Sequence, residues 1–118
     1  MTPDPAPLAA ARAAVENRLA SLRHELDSLA EEQALTSHDD EHDPEGVTIA
    51  VQRAQLQGLL AAAERERADL GRAAERMAAG GYGRCTVCGG PIAAERLVAL
   101  PAAATCITCA SVPRRRRR

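Results

Sequence analysis

The stretch LAAARAAVENRLASLRHELDSLAEEQAL, residues 8–35, decides the fold. Its large apolar residues Leu8, Val15, Leu19, Leu22, Leu26 and Leu29 stand 7, 4, 3, 4 and 3 positions apart. This is the a/d seam of a heptad repeat, with one gap at Arg12. No Pro or Gly interrupts it, so the spacing predicts one helix from Leu8 to about Leu35. At a rise of about 1.5 Å per residue, such a helix is about 42 Å long.

A second periodic stretch follows. Ile49, Leu56, Ala63, Leu70 and Met77 fall seven apart, with Leu59, Leu60, Ala73 and Ala74 at the intervening positions. This predicts a second heptad helix over 47–79, weakened at Gly58 and Gly71 by about 1 kcal/mol each relative to Ala. Between the two, residues 36–46 (Thr-Ser-His-Asp-Asp-Glu-His-Asp-Pro-Glu-Gly) read as a turn, with Pro44 and Gly46 as breakers. Two heptad helices of similar length joined by a short turn fold back as an antiparallel hairpin within one chain, which predicts a monomer. The alternative, one helix from each of two chains, makes less use of the turn chemistry and the matched lengths.

Composition supports the same class. Ala supplies 26 of 118 residues, and there is one Tyr, no Trp, no Phe and no Lys. A sandwich, barrel or doubly wound sheet needs more large β-forming side chains than this, whereas Ala- and Arg-rich chains suit helices packed side by side. The net charge of −1 hides a separation. Residues 25–45 hold nine acids and no Arg, while residues from Arg72 onward hold nine Arg and two acids, five of those Arg being Arg114–Arg118. No run of 18 apolar residues is present, and the opening Met-Thr-Pro-Asp-Pro-Ala-Pro has neither the charged nor the apolar part of a secretory signal. A cytoplasmic chain with no membrane contact is expected, in which four Cys favour metal over disulfides.

Those cysteines are Cys85, Cys88, Cys106 and Cys109, two CxxC pairs separated by seventeen residues. The spacing fits a four-Cys zinc site, each pair presenting two sulfurs from a tight knuckle. Four thiolates leave no open position for water, so one structural zinc is expected and metal-assisted hydrolysis is not. Two CxxC pairs at zinc spacing without a βαβ pattern also argue against a redox dithiol. His24, His38 and His42 read as solvated polar residues rather than ligands. There is no nucleophile–base pair and no phosphate loop, so an enzyme is not expected. The expected organisation is a flexible leader at 1–7, a hairpin at 8–79 with its acidic tip at 36–46, a zinc knob at 80–112 and a basic tail at 113–118.

The run Cys85-x2-Cys88-x3-Ile92-x3-Arg96-x4-Pro101-x4-Cys106-x2-Cys109, led in by Gly81-Tyr82-Gly83, resembles the DksA/TraR family of zinc-finger proteins. With the hairpin and its acidic turn, the resemblance spans roughly residues 8–110, although only the knob matches residue by residue. It implies a regulator of transcription initiation that binds bacterial RNA polymerase. The coiled-coil tip enters the secondary channel, and some members act together with the alarmone ppGpp. It also implies that Asp39, Asp40, Glu41, Asp43 and Glu45, five negative charges in seven residues, form the polymerase-contacting tip. Burying such a cluster in protein is very costly, so it must face water, metal ions or basic groups. As a plain solvated turn, the same acids would cap the second helix and favour its dipole.

Some members carry Asp-x-x-Asp-x-Ala at the tip. Read from Asp40, this chain gives Asp40, Asp43 and Glu45; read from Asp43 it gives Gly46 and Thr48 in the later positions. Longer members also have an N-terminal extension and a helix after the knob, whereas here Pro113 and the Arg run follow soon after Cys109. Arg114–Arg118 read either as a solvated end or as an arm giving salt-sensitive, non-specific contact with DNA phosphates. Two competing functions remain. One is a zinc-ribbon DNA-binding protein, which the acidic hairpin and the lack of a basic groove-reading helix oppose. The other is a structural coiled-coil adaptor without a polymerase role.

Overall fold

The computed structural model describes residues 3–36 and 44–112, without the side chains of Thr36, Pro44 and Glu45. Two long helices dominate it: α1, Ala6–Thr36, and α2, Pro44–Ala78. Two short ones follow, α3, Ala94–Ala99, and α4, Ile107–Ala110. The fold is mainly α, an antiparallel hairpin followed by a small four-Cys knob. None of the described helices is long and apolar enough to cross a membrane.

The first helix starts where Asp4 and Pro5 permit it. Asp4 Oδ1 accepts from the Ala6 N–H at 2.9 Å, a side-chain cap, and Pro5 occupies a first-turn position that needs no donor. The start of α2 is earlier than its periodicity indicates. Pro44 opens the helix inside the stretch that reads as a turn, because a proline at the first helical position loses no hydrogen bond. Of the predicted tip acids, Asp39, Asp40, Glu41 and Asp43 lie outside the described residues, as do His38 and His42. Glu45 falls in the first turn of α2.

The seam is close to the heptad pattern, including the gap at Arg12, with Leu26, Leu56 and Met77 only partly buried. Leu8, Val15, Leu19, Leu22 and Leu29 are buried on α1, and Ile49, Ala63, Leu70 and Ala73 on α2. Arg12 is exposed and Ala11 is partly buried. Leu59 is 57% exposed, and Leu60 turns inward instead. One residue is a rotation of about 100° on a helix, so adjacent leucines cannot share one seam.

The contacts divide the chain into two compact units: Ala14–Arg67, and a second that joins the chain up to Ala13 with everything from Ala68 onward. Among the described residues of Ala14–Arg67, ion pairs that cross between the helices include Glu16–Arg67 at 2.8 Å, Arg18–Glu66 at 2.9 Å and Arg23–Glu64 at 3.5 Å. Numbers rise on α1 as they fall on α2, which is antiparallel pairing. All six side chains are about half exposed, so each pair contributes only about 0–1 kcal/mol; their use is to penalise slipped registers. The second unit holds Leu8, Leu70 and Ala73 together with the buried residues of the knob, Tyr82, Cys85, Ile92 and Leu97.

Gly58 sits in the interior of α2, and a Cβ built there meets no atom within 4 Å. Gly58→Ala should therefore stabilise the protein by about 0.5–1 kcal/mol, through helix propensity and a less disordered unfolded chain. A urea titration followed by circular dichroism checks this; a midpoint that falls would show that the position is not ordinary exposed helix.

Candidate metal centre

The knob begins with the end of α2. The Gly80 N–H donates to the Met77 carbonyl at 3.1 Å and the Gly81 N–H to the Arg76 carbonyl at 2.7 Å, with Gly80 at φ +85°. These are the two bonds of a Schellman stop, which needs a left-handed residue after the helix. Gly83, at φ +90°, is constrained further: a Cβ there would lie 2.6 Å from Pro3 Cγ. The chain's opening residues therefore touch the knob at Pro3, within the region that reads from sequence as a loose leader.

The first knuckle is a short turn that closes on itself. Cys85 N–H donates to the Gly90 carbonyl (2.8 Å), Gly89 N–H to the Cys85 carbonyl (2.9 Å), and Arg84 and Pro91 form an antiparallel bridge. Ile92 N–H reaches the Gly83 carbonyl at 2.8 Å and fixes the exit strand. The second knuckle is a helix start. Cys106 is the N-cap of α4, and its sulfur accepts from the Cys109 N–H.

Backbone donors face the sulfurs at both knuckles: Val87 N–H on Cys85 Sγ (3.4 Å), Gly90 N–H on Cys88 Sγ (3.4 Å) and Cys109 N–H on Cys106 Sγ (3.5 Å). The four sulfurs lie within 4.8 Å of one another, and Cys88 and Cys106 Sγ are 3.8 Å apart. A tetrahedron with zinc–sulfur bonds of about 2.3 Å has edges of about 3.8 Å, so the donor set fits zinc. Without a cation the thiols divide protons unequally. The amide of Cys88 and its neighbours hold Cys85 down at about 6, while Cys109, donating to Cys106 and Cys85, is pushed up to about 12. One zinc ion removes that conflict by stabilising all four as thiolates. The donor set fits one structural zinc, which Cys85, Cys88, Cys106 and Cys109 would hold.

The segment that carries the second knuckle to the first is held by its carbonyls. Tyr82 Oη donates to Pro101 O (2.8 Å), Arg76 Nη2 to Ala102 O (3.3 Å) and Ala103 O (3.5 Å), Thr86 N–H to Ala104 O (2.8 Å), and Arg96 Nε to Thr105 O (2.9 Å). Every carbonyl from Pro101 to Thr105 is thereby engaged. Burial raises the Tyr82 pKa against the opposing Arg76 cation, so the phenol stays a neutral donor. Tyr82, Ile92, Arg96 and Pro101 are legible in the sequence as fixed intervals around the cysteines. Arg76 is not, since its bonds span 26 and 27 residues and no local spacing signals them.

These partners act on the zinc by orienting its ligands, and loss of such support commonly costs about 10–100-fold in metal affinity. Tyr82→Phe and Arg76→Ala should each weaken zinc binding about tenfold in competition with a chromogenic chelator, with one zinc per chain still bound at saturation. Unchanged affinity in both would show that the carbonyl contacts do not support the ligands.

Comparison with known proteins places this geometry. Residues 80–115 match the family model described as the prokaryotic dksA/traR C4-type zinc finger. No curated protein sequence matches the chain. Among solved structures, transcription factor DksA2 from Pseudomonas aeruginosa is similar with a TM-score of 0.59 and 24% identity, over 91% of this chain and 82% of that one. The chain thus carries a dksA/traR C4-type zinc finger after a helical hairpin of the DksA fold.

Proposed function

We propose that this protein regulates transcription initiation by binding bacterial RNA polymerase in the cytoplasm, as a monomer, with the acidic turn between α1 and α2 entering the secondary channel. The observation that carries this reading is the coincidence of a dksA/traR finger with the DksA hairpin fold in one chain. The charge pattern supports it. The turn concentrates Asp39, Asp40, Glu41, Asp43 and Glu45 where the two helices meet in sequence, and a thin two-helix element fits a channel that a globule cannot enter. Such a cluster would perturb metal ions or basic groups near a catalytic centre by charge alone, with no chemistry done by the factor itself. Asp40 and Asp43 are the acids assigned to this action, and ppGpp is a co-regulator to be tested alongside.

The zinc-ribbon DNA-binding reading has less support. Apart from its cysteines and Tyr82, the knob from 80 to 112 has three ionisable residues, Arg84, Glu95 and Arg96, and both arginines are bonded to backbone carbonyls, of Gly89 and Thr105. Neither α3 nor α4 is a basic helix able to enter a major groove.

The test is the lifetime of a ribosomal-RNA promoter open complex formed by the cognate polymerase, with and without the protein and with and without ppGpp. The native protein should shorten the lifetime, and a zinc-loaded Asp40→Ala, Asp43→Ala variant should not. Equal action by both would remove the tip from the mechanism, and no action by either would remove the mechanism itself.

A further inference from the structure

Residues 3–5 precede α1 and supply no ligand to the metal site. Residues outside a helix or strand stay loose unless something ties them down, and here several contacts do. Asp4 caps α1 through the Ala6 N–H (2.9 Å), the Pro5 carbonyl accepts from the Ala9 N–H (3.1 Å), and Leu8 is buried. Asp4 and Pro5 are exposed, whereas Pro3 turns inward and is partly buried. A proline at each end of the segment fixes φ there, so docking it costs little conformational freedom.

Pro3 lies on Gly83. A Cβ on Gly83 would meet Pro3 Cγ at 2.6 Å, with Pro3 Cβ and Leu97 Cδ1 each at 3.7 Å. The proline ring thus fills the place where a side chain of residue 83 would project. Its φ of +90° already favours glycine, and the close approach of Pro3 is a second, independent demand.

Gly83 leads from the end of α2 into the first knuckle. Its carbonyl accepts from the Ile92 N–H (2.8 Å), its neighbour Arg84 bridges to Pro91, and Cys85 stands two positions on. Zinc leaves such a site only when the knuckles open. Opening the first parts Gly83 from Ile92 and Arg84 from Pro91, and a docked Pro3 resists the displacement of Gly83. Packing alongside is otherwise open. A cavity of about 500 Å³ is lined by Pro3, by Met77 and Gly80 at the end of α2, and by Arg84 and Pro91 at the knuckle. The lead-in therefore has room to move on that side, and Pro3 is what stands against it.

We propose that Pro3 is a positioning residue of the zinc site, the tip of a strap formed by residues 3–5 whose docking on Gly83 slows the release of zinc from the knob. It acts through the lead-in to Cys85 rather than on a sulfur. Lifting the strap lets the first knuckle open and yields zinc to a competing ligand. Zinc retention is thereby tied to the start of α1, a link that does not depend on the polymerase reading.

The experiment mixes zinc-loaded full-length protein with excess chromogenic chelator and follows the rate of zinc transfer. Pro3→Gly should release zinc at least about fivefold faster, with one zinc per chain still bound before mixing. Pro3→Val refills the space over Gly83 and should return the rate to within about twofold of native, whereas an effect of lost proline stiffness would not be rescued. Gly83→Ala should also speed release, but less in a Pro3→Gly background than in the native one, because the close approach is then gone and only the φ strain remains. A native rate in Pro3→Gly, equal speeding by Pro3→Gly and Pro3→Val, or effects of Pro3→Gly and Gly83→Ala that simply multiply would each overturn the strap. If Gly83→Ala does not retain zinc, the comparison of Pro3→Gly with Pro3→Val decides. If Pro3→Gly loses helix by circular dichroism, Pro3→Ala takes its place, with about a threefold effect expected.

Discussion

The zinc–thiolate shell is the interaction on which the knob depends. From Gly80 to Val112 the chain buries only Tyr82, Cys85, Ile92 and Leu97, too few apolar groups to hold about thirty residues in one conformation unaided. Two knuckles made in different ways, a closed turn at Cys85–Cys88 and a helix start at Cys106–Cys109, meet because four sulfurs share one cation. The rest of the knob serves that meeting. Five consecutive carbonyls, Pro101 to Thr105, are claimed by Tyr82, Arg76, Thr86 and Arg96, so the connecting segment has no freedom to carry its sulfurs elsewhere.

The hairpin solves a different problem with different means. Its seam is narrow, with alanine at Ala63 and Ala73 where a larger core would use leucine, so the helices approach closely but bury little per turn. Register must then be specified by more than volume. The three crossed ion pairs in Ala14–Arg67 do this, since a three-residue slip opposes one like pair, Glu16 with Glu64 or Arg23 with Arg67, and a four-residue slip breaks all three. Arg72 adds only a local pair with Asp69, within one helix turn.

Much of this was legible in residue spacing. The 7, 4, 3, 4, 3 series on α1 and the sevenfold series on α2 identify the hairpin, because seam burial follows helix periodicity directly. The two CxxC pairs identify the metal for the same reason: ligand spacing is local geometry. The misreadings are at places where one rotation or one cap decides. Of the adjacent Leu59 and Leu60 only Leu60 turns inward, and Pro44 begins a helix instead of ending a turn. Least legible are contacts between distant parts of the chain. Pro3 against Gly83, and Arg76 on the carbonyls of Ala102 and Ala103, leave no periodic trace, although Asp4-Pro5 is a helix-start signal that brings α1 two residues earlier than its first leucine.

The most direct test of this division is hydrogen exchange of the whole protein with zinc bound and after chelation. Zinc removal should expose the amides of Cys85, Thr86, Gly89 and Ile92, whose bonds define the knuckle and its link to the second pair, while protection within Ala14–Arg67 stays as it was. Loss of protection spread evenly through both long helices, or none in the knob, would contradict the account.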